Sequence, residues 1–304
     1  MPDDLLERFR HRDRLALARL LSRAARGEGV ADLLARLGPP AKGGRVVAVT
    51  GSGGVGKSTL VGKLLETIRR HGPTVAVLAC DPQSPLSGGA LLGDRFRMPS
   101  RPDDDGVFIR SLAAAGGHGA VADHLDVMVR LLEKFGFDVL LIETVGAGQG
   151  DTAVHALADV VVLLLQPETG DDIQWEKAGL LEVADVIVIH KADLPGAAAV
   201  EAQVRQTLAL SAGRQPAVLR VSSRTGEGLE PLWEVIRDLP PRRAADESGG
   251  RDLLRLAQEA VAERFARAEA TRDPALRRIL ADWRGGVVDG DRAVAALLRL
   301  LAGG

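Results

Sequence analysis

A glycine-rich segment near the start of the chain has the residue types and spacing of a loop that binds phosphate. Residues 51–58 read Gly-Ser-Gly-Gly-Val-Gly-Lys-Ser and fit the pattern G-x-x-x-x-G-K-[ST]. An apolar run precedes this segment and a helical pattern follows it, as the pattern requires. Glycine lets backbone N–H groups turn toward a pyrophosphate, and the start of a helix adds a favourable dipole. The predicted phosphate contacts are Gly51, Ser52, Gly53, Gly54, Val55, Gly56, Lys57, Ser58 and Thr59.

Three side chains of this segment have separate predicted roles. The ammonium group of Lys57 neutralises the β- and γ-phosphates, so we predict Lys57 as a catalytic residue. The hydroxyl of Ser58 is a ligand for Mg²⁺, and Thr59 lies near the α-phosphate. The segment therefore predicts a nucleotide bound together with Mg²⁺.

Acidic residues follow or border predicted strands, where the loops of a parallel sheet gather. Asp81 follows the second predicted strand, Asp94 lies in the glycine-rich stretch 87–95, and Glu143 ends a later strand. Carboxylate oxygen is a hard ligand that suits Mg²⁺, either directly or through water. We therefore predict Ser58, Asp81, Asp94 and Glu143 as metal ligands, and Glu143 also as a catalytic residue. The alternative for each acid is an ordinary solvated side chain.

The stretch after Glu143 has the composition of a segment that responds to the nucleotide. The backbone N–H of Gly146 can donate to a γ-phosphate, which predicts that residues 144–151 are ordered by triphosphate and released by hydrolysis. Gln149 is a candidate catalytic residue because its amide can orient the attacking water. An ordinary polar loop residue is an equally good interpretation of Gln149.

A second motif lies after a later apolar run and predicts which base is bound. His190-Lys191-Ala192-Asp193 resembles the [N/T]-K-x-D guanine motif of GTPases, with histidine in the first position. A carboxylate at Asp193 can accept hydrogen bonds from guanine N1–H and the N2 amino group together, whereas adenine N1 is itself an acceptor. The stem of Lys191 can lie over the purine ring.

A third segment completes the predicted base site. Ser222, Ser223 and Arg224 follow the last predicted strand, where a GTPase brings backbone N–H groups to guanine O6. Either segment alone could be an ordinary strand-end loop, but their order after a phosphate loop predicts GTP or GDP as the ligand. The predicted base contacts are His190, Lys191, Asp193, Ser222, Ser223 and Arg224.

These motifs require elements that bring loops together at one edge of a sheet. Most of the short apolar runs are rich in Val, Ile and Leu without alternation, as in strands buried on both faces. Helical patterns lie between most of them, notably over 57–71, 120–136, 197–211 and 228–238. This alternation predicts an α/β fold with a mostly parallel, doubly wound sheet. The predicted strands are 46–49, 75–79, 107–109, 139–142, 160–165, 186–189 and 218–221.

Helical segments precede and follow the predicted sheet along the chain. Residues 5–37 predict two short helices that are split at Gly27-Glu28-Gly29. A proline-marked boundary at 240–243 precedes a return to helix over 251–302. We therefore predict an N-terminal helical segment over 1–40, a GTPase domain over 41–240 and a C-terminal helical arm over 241–304.

Composition excludes several other classes of protein. The 304 residues carry 39 Lys plus Arg and 41 Asp plus Glu, so the balance of −2 argues against a general electrostatic grip on nucleic acid or membrane. One cysteine, Cys80, excludes an internal disulfide and fits a reducing compartment. The acidic N-terminus does not resemble a secretory signal, and no apolar run approaches the length of a membrane helix. These features predict a cytoplasmic protein with no nucleic-acid or membrane partner.

Several longer strings resemble one family, the MeaB/ArgK-type G proteins, over essentially the whole chain. Beyond the phosphate loop, the resemblance rests on residues 81–85, 87–95, 108–113, 143–149 and 170–177. It implies a P-loop NTPase of the SIMIBI class and a GTPase chaperone of adenosylcobalamin-dependent acyl-CoA mutases, which gates cobalamin loading and protects or rescues the cofactor. It also implies a homodimer formed through the C-terminal arm.

The resemblance further implies an additional switch loop. Residues 170–179 are similar to the loop through which the family senses nucleotide and partner, with Lys177 as its functional lysine and a predicted catalytic residue. Without the family, Glu168-Thr169-Gly170-Asp171-Asp172 indicates only an acidic helix start.

The chain also departs from the family pattern. Residues 52–55 read Ser-Gly-Gly-Val where many relatives have a Pro-Pro-Gly-Ala-like stretch, and Gly150-Asp151 replaces a common Ser-Glu. Together with His190, these differences suggest a divergent subgroup whose partner is a mutase other than the methylmalonyl-CoA enzyme.

Four other functions are compatible with a phosphate loop. A metal-insertion GTPase needs soft or imidazole ligands at close spacing, which Cys80 and the scattered histidines do not supply. An ATPase of the partitioning or arsenite-pump type carries an additional lysine early in the loop, where this chain has Ser52. A metabolite kinase remains open although no convergent set of substrate residues supports it. A nucleotide-binding module with little turnover is the fourth alternative.

Overall fold

The computed structural model describes residues 3–38, 43–82, 104–114, 124–144, 157–167, 181, 183–210, 215–242 and 245–302. The chain divides into two compact units, Met1–Ala244 and Ala245–Gly304. The strands are β1 (Arg45–Gly51), β2 (Val75–Pro82), β3 (Val107–Ala114), β4 (Val139–Glu143), β5 (Val160–Leu165), β6 (Val186–His190) and β7 (Ala217–Val221). The first unit has helices α1 (Asp3–Arg10), α2 (Arg14–Ala25), α3 (Val30–Leu37), α4 (Lys57–Arg70), α5 (Leu125–Phe135), α6 (Ala197–Ala209) and α7 (Leu229–Asp238).

The first unit is built on a seven-stranded parallel sheet with the strand order β3-β2-β4-β1-β5-β6-β7. The predicted α/β class and parallel sheet are confirmed, and every apolar run predicted as a strand lies in one. The central strands β4, β5 and β6 are buried along their whole length, as their uninterrupted apolar sequences require. In the sheet, β1 has β4 as its neighbour on one side and β5 on the other, and both of these strands come later in the chain. A crevice therefore opens at its carboxyl end, where such sheets bind ligands.

Alternate residues of the strands pack against different helices on the two faces. One face carries Val47, Val49, Val162 and Val188, which share a buried cluster with apolar residues of α4 and α7. The other face carries residues such as Leu163 and Ile187, which cluster with the apolar side of α6. The sheet is therefore covered by helices on both faces, and α4 begins shortly after the end of β1.

Aspartates at the opposite edge of the sheet hold neighbouring strands in register. Each lies just before a strand and accepts a hydrogen bond from a backbone N–H next to it. Because these bonds anchor the amino ends of the strands, the carboxyl ends reach the crevice in a defined alignment. The bonds join Asp138 Oδ2 to Thr74 N at 2.7 Å, Asp159 Oδ2 to Val46 N at 2.8 Å and Asp185 Oδ2 to Val161 N at 2.9 Å.

The N-terminal segment forms three helices, and the prediction of two was wrong. The additional break lies at 11–13, where Arg12 has a φ of 64°. Asp13 begins the next helix as its N-cap, with its carboxylate accepting from Leu15 N at 2.8 Å and Ala16 N at 3.1 Å. The apolar periodicity continues across this break and therefore does not reveal it. The aspartate does indicate the break, because Asp is a typical N-cap residue. The predicted split at Gly27–Gly29 is present.

The second unit is entirely helical over its described residues, with α8 (Ala245–Ala270), α9 (Pro274–Arg284) and α10 (Gly290–Ala302). Asp273 caps α9 and Pro274 occupies its first turn, a combination that favours a sharp helix start. Ala293 is buried, whereas Leu254 is exposed. Further exposed apolar side chains are those of Trp283, Val287, Val294 and Leu298. Over the described residues of both units, no helix has the length and apolar character needed to cross a bilayer.

Candidate nucleotide-binding site

The predicted phosphate loop connects the end of β1 to the start of α4, and close packing requires glycine at two of its positions, Gly51 and Gly56. Gly51 has a φ of 148°, and a Cβ there would lie 2.7 Å from the Leu164 carbonyl oxygen of the adjacent strand. Gly56 has a φ of 97°, and its Cβ would lie 2.6 Å from Cε1 of His190. Both contacts are too short for a side chain, so the bare backbone passes between the sheet and the imidazole. Glycine at these two positions therefore allows the loop to pass close to β5 and to His190.

Lys57 directs its ammonium group back over this loop. Its Nζ donates hydrogen bonds to the carbonyl oxygens of Gly51 at 2.9 Å and Ser52 at 3.1 Å. The side chain is buried, so the ammonium charge is concentrated inside the curve of the loop. This is the position that the predicted contact with β- and γ-phosphates requires.

Ser58 and Glu143 meet at the bottom of the crevice from two different elements. Ser58 lies in the first turn of α4, and Glu143 is the last residue of β4, opposite Val49 of β1 in the sheet. Ser58 Oγ donates a hydrogen bond to Glu143 Oε1 at 2.6 Å, and both residues are buried. The structure thus brings together two of the predicted metal ligands, which are 85 positions apart in the chain.

The donor set at this point fits Mg²⁺. Both atoms are hard oxygens, and Mg²⁺ in nucleotide sites takes a few protein oxygens together with phosphate and water. Among the described residues, no group of three or more His, Cys, Asp or Glu could hold a metal without such additional ligands. Asp81 lies at the carboxyl end of β2, two residues beyond Ala79, which pairs with Glu143. Asp94 lies outside the described residues.

Two threonine hydroxyl groups form a hydrogen bond at the same edge of the sheet, a contact that was not predicted from the sequence. Thr144 Oγ1 donates to Thr50 Oγ1 at 3.2 Å, and the Thr144 N–H donates to the Val49 carbonyl at 3.1 Å. These bonds fix the backbone that follows Glu143 to the strand that leads into the phosphate loop. The signal in the sequence is a threonine at the end of each of the two strands.

Two other residues of the predicted base site contact Asp193. Its Oδ1 accepts from Ser222 Oγ at 2.5 Å, and its Oδ2 accepts from Arg224 Nε at 2.8 Å. The Ser222 hydroxyl lowers the pKa of Asp193 below its ordinary value, and the backbone N–H of Asp193 and the side chain of Arg224 act in the same direction. Asp193 is therefore ionised at neutral pH, which the predicted contact with two guanine donors requires.

His190 joins the phosphate loop to the base site. Its Nδ1 lies 2.7 Å from the Val55 carbonyl oxygen, and its Nε2 lies 2.8 Å from Ser223 Oγ. Because a carbonyl can only accept, the bonding pattern assigns the proton to Nδ1, so the Ser223 hydroxyl donates to Nε2. The side chain is only 3% exposed, and this burial lowers the pKa of the imidazole. A neutral histidine therefore satisfies both partners.

The two base-site segments are also joined through the backbone. Lys191 directly follows β6 with a φ of 55°, an uncommon conformation for a residue with a side chain. The N–H of Ala192 donates to the carbonyl of Val221 at 3.1 Å, and the N–H of Gly226 donates to that of Ser222 at 2.9 Å. These bonds hold the residues predicted to contact the base around one recess.

Other predicted site residues take less definite positions. Thr59 is exposed on the first turn of α4. Gly146, Gln149 and Lys177 lie outside the described residues, so their predicted roles stay predictions.

Comparison with known proteins places this site in a family. The model of the family described as methylmalonyl-CoA mutase-associated GTPase MeaB matches residues 16–275. A protein named as a GTPase from Pyrococcus horikoshii is 40% identical over 254 residues, which cover 81% of this chain and 80% of that protein. The mitochondrial methylmalonic aciduria type A homologue of Mus musculus is 38% identical over 199 residues, covering 63% of this chain and 48% of the mouse protein.

A solved structure supports the architecture. A crystal structure of a LAO/AO transport system kinase superposes with a TM-score of 0.57 and 22% sequence identity, covering 98% of this chain and 97% of that one. The similarity at this level of identity concerns the fold, and it extends over both compact units.

Proposed function

The chain belongs to the MeaB family of methylmalonyl-CoA mutase-associated GTPases, and we propose that it couples GTP hydrolysis to the cofactor of an adenosylcobalamin-dependent acyl-CoA mutase. The coupled step is loading, protection or reactivation of that cofactor. The observation that carries the proposal is a phosphate loop and a guanine-type recess joined by His190, in a chain that matches the family over 16–275.

In the proposed reaction, the loop 51–56 and Lys57 bind the phosphates, and Thr59 lies near the α-phosphate. Ser58 and Glu143, together with Asp81 and Asp94, hold Mg²⁺. The ion, when bound, neutralises charge that develops on the β- and γ-phosphate oxygens. Gly146 donates its backbone N–H to the γ-phosphate, and Gln149 orients the attacking water.

The residues around Asp193 select the base. An ionised carboxylate accepts from both guanine donors, whereas adenine brings its N1 lone pair against the same oxygens. Adenine therefore leaves unfilled the acceptor positions of Asp193 that guanine would fill, which costs about 1–3 kcal/mol and corresponds to roughly 5- to 150-fold in affinity. The Ser222 N–H donates to the Glu227 carbonyl at 2.9 Å, so the backbone N–H groups of this segment that would meet guanine O6 are those of Ser223 and Arg224. Lys191 covers the ring.

Coupling to the mutase uses segments that respond to the nucleotide. The stretch 144–151 is ordered by the triphosphate and released on hydrolysis. The stretch 170–179 senses nucleotide and partner, and Lys177 reaches phosphate or a partner carboxylate when this loop moves in the complex. The C-terminal arm 241–304 pairs with a second copy of the chain. Its exposed Trp283, Val294 and Leu298 support such a role, because apolar side chains of this size are favoured at interfaces.

The test is GTP turnover by the purified protein, alone and with individual adenosylcobalamin-dependent acyl-CoA mutases. We expect slow turnover alone, acceleration by one mutase, and GTP-dependent transfer of cofactor to that mutase. A mutase other than the methylmalonyl-CoA enzyme is the expected partner, because 52–55, 150–151 and His190 depart from the family pattern. Turnover that no mutase changes would contradict the coupling. Transfer of the γ-phosphate to a small metabolite would instead identify a kinase.

A further inference from the structure

Arg224 contacts the guanine-reading carboxylate through its side chain, although the sequence predicted only backbone contacts for its segment. Its Nε donates to Asp193 Oδ2 at 2.8 Å, while Ser222 Oγ donates to Oδ1 at 2.5 Å. The carboxylate is therefore held on both oxygens, by a neutral hydroxyl on one and by a cation on the other.

The number of acceptor positions on Asp193 matches this arrangement. A carboxylate offers about four acceptor positions, two on each oxygen. Hydrogen bonds from the side chains of other residues use two of them, one on Oδ1 from Ser222 and one on Oδ2 from Arg224, so neither oxygen is filled by a neighbouring side chain. Guanine presents two adjacent donors, N1–H and the N2 amino group, and these require one acceptor on each oxygen. The two side-chain donors thus leave a pair of acceptors that complements this edge of guanine.

The exposure of the two side chains differs strongly. Asp193 is 12% exposed, whereas Arg224 is 76% exposed. The carboxylate therefore depends on its few partners for orientation, because a carboxylate torsion has only a weak intrinsic preference. Truncation of Arg224 leaves no buried cavity, so its variants can report on the carboxylate while the fold is kept.

We propose that Arg224 is a positioning residue for base specificity, which fixes the plane of the Asp193 carboxylate so that both remaining acceptors meet guanine. The proposal rests on the reading of guanine by Asp193 given above. Without the guanidinium, Ser222 alone holds one oxygen, the carboxylate can rotate, and the bond to the N2 amino group weakens first. The pKa of Asp193 also rises in such a variant, because one of the groups that lower it is gone.

The experiment measures the affinities of GDP, IDP and ADP for the full chain and its variants between pH 3 and 8, a range that includes the titration of the Asp193 carboxyl. IDP lacks the N2 amino group, so the ratio of GDP to IDP affinity reports on the second acceptor. The variants are Arg224→Ala and Arg224→Lys, which keeps the charge. The matched control is Arg237→Ala, because Arg237 forms a similar exposed pair with Asp238, with Nε to Oδ1 at 2.8 Å, away from the site.

We expect Arg224→Ala to weaken GDP binding about fivefold, which is about 1 kcal/mol at 1.4 kcal/mol per tenfold. IDP binding should weaken less, so the GDP-to-IDP ratio falls. The loss of GDP binding on acidification should begin at higher pH than in the wild type, and Arg224→Lys should recover part of both effects. The control should behave like the wild type.

The outcomes separate this inference from the proposal on which it rests. If the wild type prefers GDP to ADP but Arg224→Ala keeps its affinity, its GDP-to-IDP ratio and its acid limb, Arg224 has no positioning role and the guanine site stands. An equal loss of GDP and IDP affinity with an unmoved acid limb also overturns the inference. If the wild type binds ADP as well as GDP, the guanine site itself is wrong.

Discussion

His190 offers the most demanding test of how the phosphate loop is linked to the base site. The variant His190→Ala removes hydrogen bonds to the Val55 carbonyl and the Ser223 hydroxyl, at 2.7 Å and 2.8 Å. It also removes a ring that is 97% covered and packs against Gly56. Two hydrogen bonds contribute about 1 kcal/mol each, and the cavity left by a buried ring costs about 1–2 kcal/mol. The variant should therefore lose about 3–4 kcal/mol of stability.

The assay is urea unfolding of the full chain without nucleotide, together with GDP titration. We expect a lower unfolding midpoint for His190→Ala and weaker GDP binding, because the Val55 carbonyl belongs to the phosphate loop. His190→Asn should recover part of both losses, since an amide can both donate and accept. The control is His71→Ala, an exposed histidine whose Nε2 lies 2.8 Å from Glu230 Oε2, which should cost less than about 1 kcal/mol.

The refuting result is specific. If His190→Ala unfolds within about 0.5 kcal/mol of the wild type and binds GDP equally well, the imidazole does not join the two segments. A loss as large for His71→Ala would show that the assay does not distinguish this site from an exposed histidine.

Three further predictions follow from the same account. Burial lowers the pKa of His190 below its ordinary 6.5, so the unfolded state binds the proton first as the pH falls. The free energy of unfolding should therefore decrease below about pH 6.5. Unfolding curves at pH 5 and 7 should show that His190→Asn removes part of this decrease. Lys177→Ala should keep GTP affinity within a few-fold, yet GTP hydrolysis should no longer be accelerated by the cognate mutase. Lys57→Ala should instead impair triphosphate binding or turnover directly. Full mutase-stimulated turnover and normal cofactor loading by Lys177→Ala would contradict the switch role. Light scattering at micromolar concentration should give a dimer that Leu298→Asp shifts toward monomer, and a wild-type monomer would contradict the proposed arm.

Much of the fold could be predicted from the sequence, because its strands are buried on both faces. Runs such as Val160–Leu165 and Val186–Ile189 are apolar without interruption and lie between helical patterns, which indicates parallel strands. The break before α2 could not be predicted from periodicity, because the apolar spacing continues through it. Asp13 begins the second helix by a local hydrogen-bonding preference that competes with that spacing.

The candidate site was predictable in residue type but not in its contacts. The phosphate loop, a strand end and the base motif identify Ser58, Glu143 and Asp193, respectively, by local pattern. The bond from His190 to the Val55 carbonyl spans 135 positions and ends on a backbone atom, so no residue type signals it. The pairing of Arg224 with Asp193 likewise depends on how two loops approach each other. Contacts of this kind follow from the sheet topology, which the motifs do not specify.

The central claim is that the recess around Asp193 selects guanine, and one competition experiment tests it most directly. GTP, ATP and XTP are titrated against the wild type and Asp193→Asn, which replaces one acceptor with a donor. Xanthine carries a carbonyl where guanine carries its amino group, so the account predicts a wild type that prefers GTP and an Asp193→Asn variant that prefers XTP. A wild type that binds ATP as tightly as GTP, or a variant whose base preference is unchanged, would contradict it.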